Sequence, residues 1–178
     1  MIRFLRLPLI VLIVFVAANS VRSETTDAWP QFLSPQGNGH GRKLPLPLGT
    51  ERIENIGWKT EIAGKNWSSP AIADNRIWLT TASEDGQQLS GISVSILRRE
   101  RSCNRLLAAD NQAQEIHTLN SHASPSPVID GERVYLSFGS YGTFCLDSKT
   151  GEEIWQRRDL PCNHWRGPDL LRCFTRIC

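Results

Sequence analysis

A chain of 178 residues that is 40% hydrophobic and 21% charged has the composition of a folded protein with one ordinary domain. This composition excludes collagen, a coiled coil and a fully disordered chain. The formal net charge is +2, and without Arg3, Arg6 and Arg22 of the first 23 residues it falls to about −1, which gives no electrostatic support for a nucleic-acid partner. The basic cluster from Arg98 to Arg105 is interrupted by Glu100 and holds no aromatic residue, so we interpret it as a solvated surface.

The first 23 residues have the layout of a secretory signal. Arg3 and Arg6 precede an apolar run, Leu7 to Ala18, and small and polar residues follow it. Such a run gives about 18 Å of helix, which is short of the roughly 30 Å hydrocarbon core of a bilayer. We therefore predict a signal peptide over residues 1–23 and export to the periplasm or the cell exterior. The alternative is an uncleaved anchor, and only that anchor would bring the chain to a membrane.

Residues 24–57 are predicted to be irregular, because apolar residues are isolated there and Gly, Pro, Gln and Asn are frequent. From Trp58 onward, short apolar stretches separated by turn residues predict strands. No stretch keeps a helical apolar period for three turns, so helix is expected to be a minor component.

The chain repeats itself. Ser69–Thr80 matches Ser126–Ser137 at a constant offset of 57 residues. Each copy has a proline at its second position, Pro70 or Pro127, and continues as strand, polar turn and strand. The turns are predicted at Asp74-Asn75 and Asp130-Gly131, residue pairs that favour tight hairpins.

Tryptophans mark the same repeat. The interval from Trp58 to Pro70 has a counterpart between Trp155 and Pro168, and a further tryptophan lies inside each interval, Trp67 and Trp165. We therefore assign residues 58–168 to repeats. Their period suits blades of a β-propeller with a longer loop.

The sharpest local pattern is a turn between two strands near Asp147. Its carboxylate can accept hydrogen bonds from N–H groups two and three residues further on, and Gly151 supplies a left-handed conformation. Thr150 lies between them, and Trp155 follows in the returning strand, where its large side chain is expected to pack on a neighbouring sheet.

This D-x-x-T-G-x-x-x-W turn, preceded by S-P-V-I-D-G, resembles the repeat of pyrroloquinoline-quinone-like (quinoprotein-like) β-propellers. That superfamily includes quinoprotein alcohol dehydrogenases and the propeller lipoprotein of the outer-membrane β-barrel assembly machine. The resemblance covers residues 29 to about 93 and about 111 to 168. It implies an all-β fold, a partial β-propeller of about two four-stranded blades, and it is weak as to activity.

Two segments depart from the family pattern. Residues 95–105 show neither the turn nor the tryptophan expected of the first repeat, and residues 169–178 form a tail that does not match. Three of the five cysteines lie in these stretches: Cys103, Cys173 and Cys178. Our hypothesis is that both segments are translated out of frame in a truncated or frameshifted family member. The alternative is a genuine insertion.

No residue is predicted to be catalytic or to bind a metal. His117 and His122 are five residues apart, which suits neither one face of a helix nor one face of a strand. Cys162 and His164 lack a third ligand, and no C-x-x-C pair is present. Cofactor-binding residues remain unknown.

The sequence thus favours an exported repeat scaffold that binds a protein or a small-molecule ligand, without a cofactor. Members of the resembled superfamily that act as dehydrogenases use pyrroloquinoline quinone with calcium and a disulfide between adjacent cysteines. This chain has no adjacent cysteine pair. The alternatives are a truncated quinoprotein-like oxidoreductase and a non-functional gene fragment.

Overall fold

The computed structural model describes residues 28–33, 36–41 and 56–159. The predicted signal peptide, the tail at 169–178, Trp165, Pro168 and the pair Cys162 and His164 lie outside the described residues. Within the described ranges, no helix has the length and apolar character needed to cross a bilayer.

The first sheet is an antiparallel meander of four strands: β1 (Ala71–Ala73), β2 (Arg76–Ala82), β3 (Gln88–Ser95) and β4 (Glu100–Ala109). Its first hairpin closes over two residues, Asp74 and Asn75, with φ of 49° and 59°. Positive φ at both central positions is typical of a type I′ turn, whose twist matches that of the strands. The predicted hairpin is therefore present.

The second sheet repeats this order with β5 (Val128–Asp130), β6 (Arg133–Ser137), β7 (Thr143–Asp147) and β8 (Glu153–Arg157). A short 3-10 helix, Gly139–Tyr141, lies between β6 and β7. The β5–β6 turn has Gly131 and Glu132 at its centre, one residue later than predicted, because Asp130 pairs with Arg133 as the last residue of β5.

The turn that sequence reasoning missed in the first repeat is formed by residues 95–99. The N–H of Arg99 donates to the Ser95 carbonyl at 2.8 Å, as the N–H of Gly151 donates to the Asp147 carbonyl at 2.9 Å. Arg99 has a φ of 61° where Gly151 has 76°. The expectation that residues 95–105 carry no turn was wrong, since Ser95 stands in for the aspartate and Arg99 for the glycine.

The fourth strands of the two sheets are also equivalent. Cys103 pairs with Ser93, and a bulge lies between Ser93 and the next residue of β3. Trp155 pairs with Cys145, and a bulge lies between Cys145 and the next residue of β7. Cys103 therefore occupies the place of the missing tryptophan. The fourth strand of the first sheet thus has the same preceding turn, bulge and pairing as the fourth strand of the second sheet.

The two sheets pack face to face around one buried cluster. The first sheet contributes Trp78, Leu89 and Leu107, and the second contributes Val134, Leu136, Phe144 and Leu146. A Cβ atom on Gly91 would lie 2.4 Å from Cδ1 of Leu136, so the absence of a side chain at Gly91 in β3 leaves room for Leu136 of the second sheet. Two stacked four-stranded meanders are the arrangement of two propeller blades, and the fold is an all-β partial propeller.

Part of the predicted irregular segment bridges both sheets. The N–H of Trp29 donates to the Ile72 carbonyl and the N–H of Ile72 donates to the Trp29 carbonyl, both at 2.7 Å. The next carbonyl, that of Pro30, accepts from the N–H of Ile129 at 2.8 Å. Ile72 and Ile129 are equivalent in the two repeats, so this segment ties the first strand of one sheet to the first strand of the other.

Candidate functional site

Loops gather at one end of the two sheets. Because both meanders are antiparallel, the β2–β3 loop, the long connector from β4 to β5 and the β6–β7 loop all leave the same end. Together with residues 65–69, which precede β1, they form what we call the loop face: residues 65–69, 83–87, 110–127 and 138–142. Loops on a rigid sheet frame are where propeller-like folds place binding residues.

The connector is fixed to the first sheet by a buried hydroxyl. Oγ1 of Thr80, which is fully buried in β2, lies 3.2 Å from the Ala123 carbonyl oxygen and 3.1 Å from that of Pro125. The same Ala123 carbonyl also accepts a hydrogen bond from the N–H of Trp67, 3.3 Å away. These bonds hold residues 121–125 in place although they belong to no strand.

His122 is held inside the loop face. Its Nε2 atom lies 2.7 Å from the carbonyl oxygen of Gln114, and since a carbonyl only accepts, Nε2 carries the proton. The ring also lies against Gly86, where a Cβ atom would come within 2.3 Å of Cε1. His122 therefore joins the connector to the β2–β3 loop, which is a structural role.

The second sheet holds the connector at Gln114. The N–H of Gln114 donates to the hydroxyl of Tyr141 at 2.6 Å, and its side-chain oxygen accepts a bond from the hydroxyl of Ser140. Tyr141 itself is buried in the core cluster. The connector is thus bonded to both sheets along its length.

The β2–β3 loop is ordered by Asp85. Hydrogen bonds from the Ser83 hydroxyl and from the N–H of Gln87 hold the pKa of Asp85 below its ordinary value. The adjacent Glu84 pairs with Lys65 at 3.2 Å. Local hydrogen bonds therefore favour the ionised form of the Asp85 carboxyl.

Two large apolar side chains stand out on this polar surface. Leu119, in the middle of the connector, is 69% exposed, and Trp67 is 57% exposed. A shallow, polar cleft of about 260 Å³ lies at the outer side of the same end, lined by Gln87, Gln88, Ala109, Asp110 and Asn111. An exposed tryptophan and leucine beside ordered polar loops can contribute to binding a partner surface.

The predicted motif residues do not come together at this end. The Asp147 turn lies at the opposite end: Oδ1 of Asp147 accepts from the N–H groups of Lys149 and Thr150 at 2.9 and 2.7 Å. Trp58 lies half-buried in the segment before β1. Pro70 is exposed and Pro127 buried, each directly before the first strand of its sheet.

Trp155 does not face the first sheet. Cross-strand pairing places it on the same face as Tyr135 and Cys145, and its ring centroid is 6.0 Å from that of Tyr135. The core residues Leu136 and Leu146 lie on the other face. The tryptophan that packs between the sheets is instead Trp78, whose Nε1–H donates to the Ser148 carbonyl at 3.3 Å.

The part of the chain that the structure describes holds no group of three or more His, Cys, Asp or Glu side chains placed to bind a metal ion. His117 accepts from the N–H of Leu119 at 3.2 Å within the connector. Cys103 and Cys145 are free thiols, and burial raises the pKa of each.

These observations define the class: an all-β chain with two consecutive propeller-type sheets and an ordered loop face. Among solved structures, the chain is similar to the crystal structure of BamB from Moraxella catarrhalis, with 15% sequence identity and a TM-score of 0.36. The match covers 53% of this chain and 23% of the BamB chain. No protein-family model matches the chain, and no curated protein does.

Proposed function

We propose that this protein is an exported, quinoprotein-like repeat scaffold that binds a protein partner through its loop face and carries out no catalysis of its own. The observation that carries the proposal is the connector at residues 110–127. It is bonded to β2 of the first sheet through Thr80 and to the β6–β7 loop of the second through Tyr141, yet it presents Leu119 to solvent.

The physical argument is preorganisation. A loop already held by buried hydrogen bonds loses little conformational entropy when a partner binds, so its exposed side chains contribute more of their contact energy to affinity. Trp67 and Leu119 are the apolar groups such a partner would cover, and the exposed ion pair of Lys65 with Glu84 belongs to the same loop face. Tryptophan is among the residues that most often dominate binding energy.

The test is a comparison of variants in partner capture. The protein is immobilised and exposed to cell-envelope extract, and retained proteins are quantified for the wild type, Trp67→Ser and Leu119→Ser. Leu97→Ser is the matched control, because Leu97 is 76% exposed but lies in the turn at the opposite end. We expect a specific protein that is retained by the wild type and the control and lost from both loop-face variants.

Equal retention by all four proteins would contradict the proposal. A titration with pyrroloquinoline quinone and calcium distinguishes the scaffold from a quinoprotein-like oxidoreductase. We expect no saturable binding at micromolar concentrations, and saturable binding would favour the oxidoreductase.

A further inference from the structure

The turn between β3 and β4 exposes an apolar side chain among arginines. Leu97 is 76% exposed, the largest exposed fraction among the large apolar side chains that the structure describes. Arg98, Arg99 and Arg101 lie beside it in the chain, and all three are exposed. We call residues 95–101 the arginine turn. It lies at the end of the molecule opposite the loop face, where it leads into the edge strand of the first sheet.

The arginine turn is held by two neighbouring segments. The N–H of Ile96 donates to the Asn75 carbonyl at 2.9 Å, in the adjacent hairpin. The hydroxyl of Thr60 donates to the Arg99 carbonyl at 3.1 Å, from the segment before β1. A turn that is already ordered loses little conformational entropy when its side chains bind another molecule.

The three arginines of this turn form no ion pair with another residue that the structure describes. Elsewhere in the described ranges, basic side chains do pair with carboxylates: Lys65 with Glu84, Arg105 with Glu153, Lys149 with Glu132, and Arg157 with Asp159. Within the turn only Glu100 opposes the arginines, which leaves a net charge of +2. The charged residues that flank the two contacts above cancel: Lys59 with Glu61, and Asp74 with Arg76.

Arg99 occupies a position that suits glycine better. Its φ is 61°, and Gly151 holds the equivalent position of the second repeat with a φ of 76°. Left-handed backbone disfavours a residue with a Cβ atom, so the arginine is present at a cost in stability. Strain of this kind is concentrated at binding and catalytic sites. Exposed charge alone is typical of a solvated surface, whereas the strain at Arg99 favours a binding role for its guanidinium.

We infer that the arginine turn binds an acidic segment of a partner protein. Asp or Glu carboxylates of that segment pair with the arginines, and an apolar side chain of the segment covers Leu97. Arginine suits this role because its planar fork can bond one carboxylate through two N–H groups. The contact is a second surface, separate from the loop face, and it does not depend on the function proposed above.

The charges at this end of the molecule favour a protein segment over an anionic lipid surface. The turns of the second sheet open at the same end, and their charged residues carry a net charge of −2: Asp130, Glu132, Arg133, Asp147, Lys149 and Glu152. A flat anionic membrane would meet these acidic turns together with the arginine turn, so repulsion would offset the attraction. A short acidic segment can contact the first sheet alone.

Selection from a displayed library of random short peptides on the 178-residue chain tests this inference. The library is first depleted on a variant that combines Leu97→Ser, Arg98→Ser and Arg101→Ser, and the remainder is selected on the wild type. The peptides that survive both steps depend on the arginine turn. We expect them to be enriched in Asp and Glu around an apolar residue. Their affinity should fall about tenfold when NaCl is raised from about 50 mM to about 500 mM.

Arg99→Gly separates binding from folding. The variant should raise the urea midpoint of unfolding, because it removes backbone strain. It should also weaken the binding of a selected peptide about threefold to tenfold in fluorescence anisotropy, because it removes a guanidinium. Arg133→Gln is the charge-matched control, an exposed arginine at the same end but in the second sheet, and it should leave the affinity unchanged. Trp67→Ser, in the loop face, should also leave it unchanged.

The inference is wrong if no turn-dependent peptide is selected, if the selected peptides lack an acidic excess, or if Arg99→Gly binds them as tightly as the wild type. Two further measurements identify another occupant and would equally overturn it. One is binding to phosphatidylglycerol vesicles, in place of an acidic peptide, that the triple variant loses. The other is self-association in sedimentation velocity that Arg99→Gly abolishes. Partner capture by the loop face has no bearing on these results, so the two proposals fail separately.

Discussion

The N–H of Ser69 donates a hydrogen bond of 2.9 Å to Oγ of Ser126, and these two serines occupy the same position in the two repeats. Each lies two residues before the first strand of its sheet. The bond therefore joins the start of one blade directly to the start of the next, close to the contacts of Thr80 with the connector.

Replacing Ser126 with alanine removes the acceptor and leaves the half-buried N–H of Ser69 without it. We expect Ser126→Ala to lower the free energy of unfolding by about 1 kcal/mol, the usual cost of losing such a bond. Urea denaturation followed by tryptophan fluorescence measures the change. Thr118→Ala, at an exposed connector position, serves as the control, and an equal effect of both variants would argue against the bond.

Gly151→Ala should be costly for two reasons. Gly151 has a φ of 76°, and a Cβ atom there would lie 2.5 Å from Sγ of Cys103. We expect a loss of about 1–3 kcal/mol in the free energy of unfolding. Cys103→Ala in the same chain removes the clashing sulfur, so the double variant should recover part of the loss. An unchanged loss in that background would show that the thiol does not limit the site.

Arg99→Gly should stabilise the protein. Arg99 holds a φ of 61°, a conformation that costs a non-glycine residue about 1–2 kcal/mol, and glycine adds some entropy to the unfolded chain. We expect a net gain of about 0.5–1 kcal/mol, seen as a higher urea midpoint. Arg98→Gly, the neighbouring exposed position without positive φ, should give no gain, and a gain from both would point to charge rather than backbone strain.

Asp147 makes folding sensitive to acid. Hydrogen bonds from the N–H groups of Thr150 and then Lys149 hold its pKa below the ordinary value in the folded state. A lowered folded pKa adds stability above the unfolded pKa of about 4, and this stability is lost as the pH falls through the folded value. The excess stability of the wild type over Asp147→Asn should therefore shrink as the pH drops from 6 to 3, as measured by denaturation. Asp130→Asn, an exposed position, is the control.

Cys103 and Cys145 should react slowly in the native protein. Burial raises the pKa of both thiols, so little thiolate forms at neutral pH, and Cys145 is fully buried. Alkylation by iodoacetamide at pH 7, mapped by mass spectrometry, should label both residues far faster in denaturant than without it. Rapid native labelling of Cys145 would mean that the second sheet opens readily.

The fold could be predicted where local chemistry is repeated. The hairpins at Asp74 and Gly131 contain residue types that predict a turn. The Asp147 turn likewise has a side chain that accepts backbone hydrogen bonds and a glycine at the position of positive φ. The turn at 95–99 has the same backbone bonds with Ser95 and Arg99, residues that signal no turn. The offset between this turn and the Asp147 turn also differs from the 57 residues that separate the first strands of the two repeats. The reason is that β2 and β3 have 7 and 8 residues, whereas β6 and β7 have 5 each.

The candidate site was not predictable in the same way. The loop face depends on the Thr80 hydroxyl reaching Ala123 and Pro125 and on Tyr141 reaching Gln114, which are distant in sequence. A threonine in a strand and a tyrosine in a loop have no local signature of such bonds. For a similar reason the sequence did not predict that Trp78, and not Trp155, packs between the sheets. The face on which a side chain lies depends on strand pairing and not on the repeat alone.

The bridge made by Trp29 and Pro30 sets an order of events during synthesis. A ribosome releases this segment early, and Trp29 can pair with Ile72 once the first hairpin exists. Pro30, however, must wait for Ile129, which is made only after the whole first sheet and the connector. The earliest of these segments to be translated thus reaches its final place only once the first strand of the second sheet has been made.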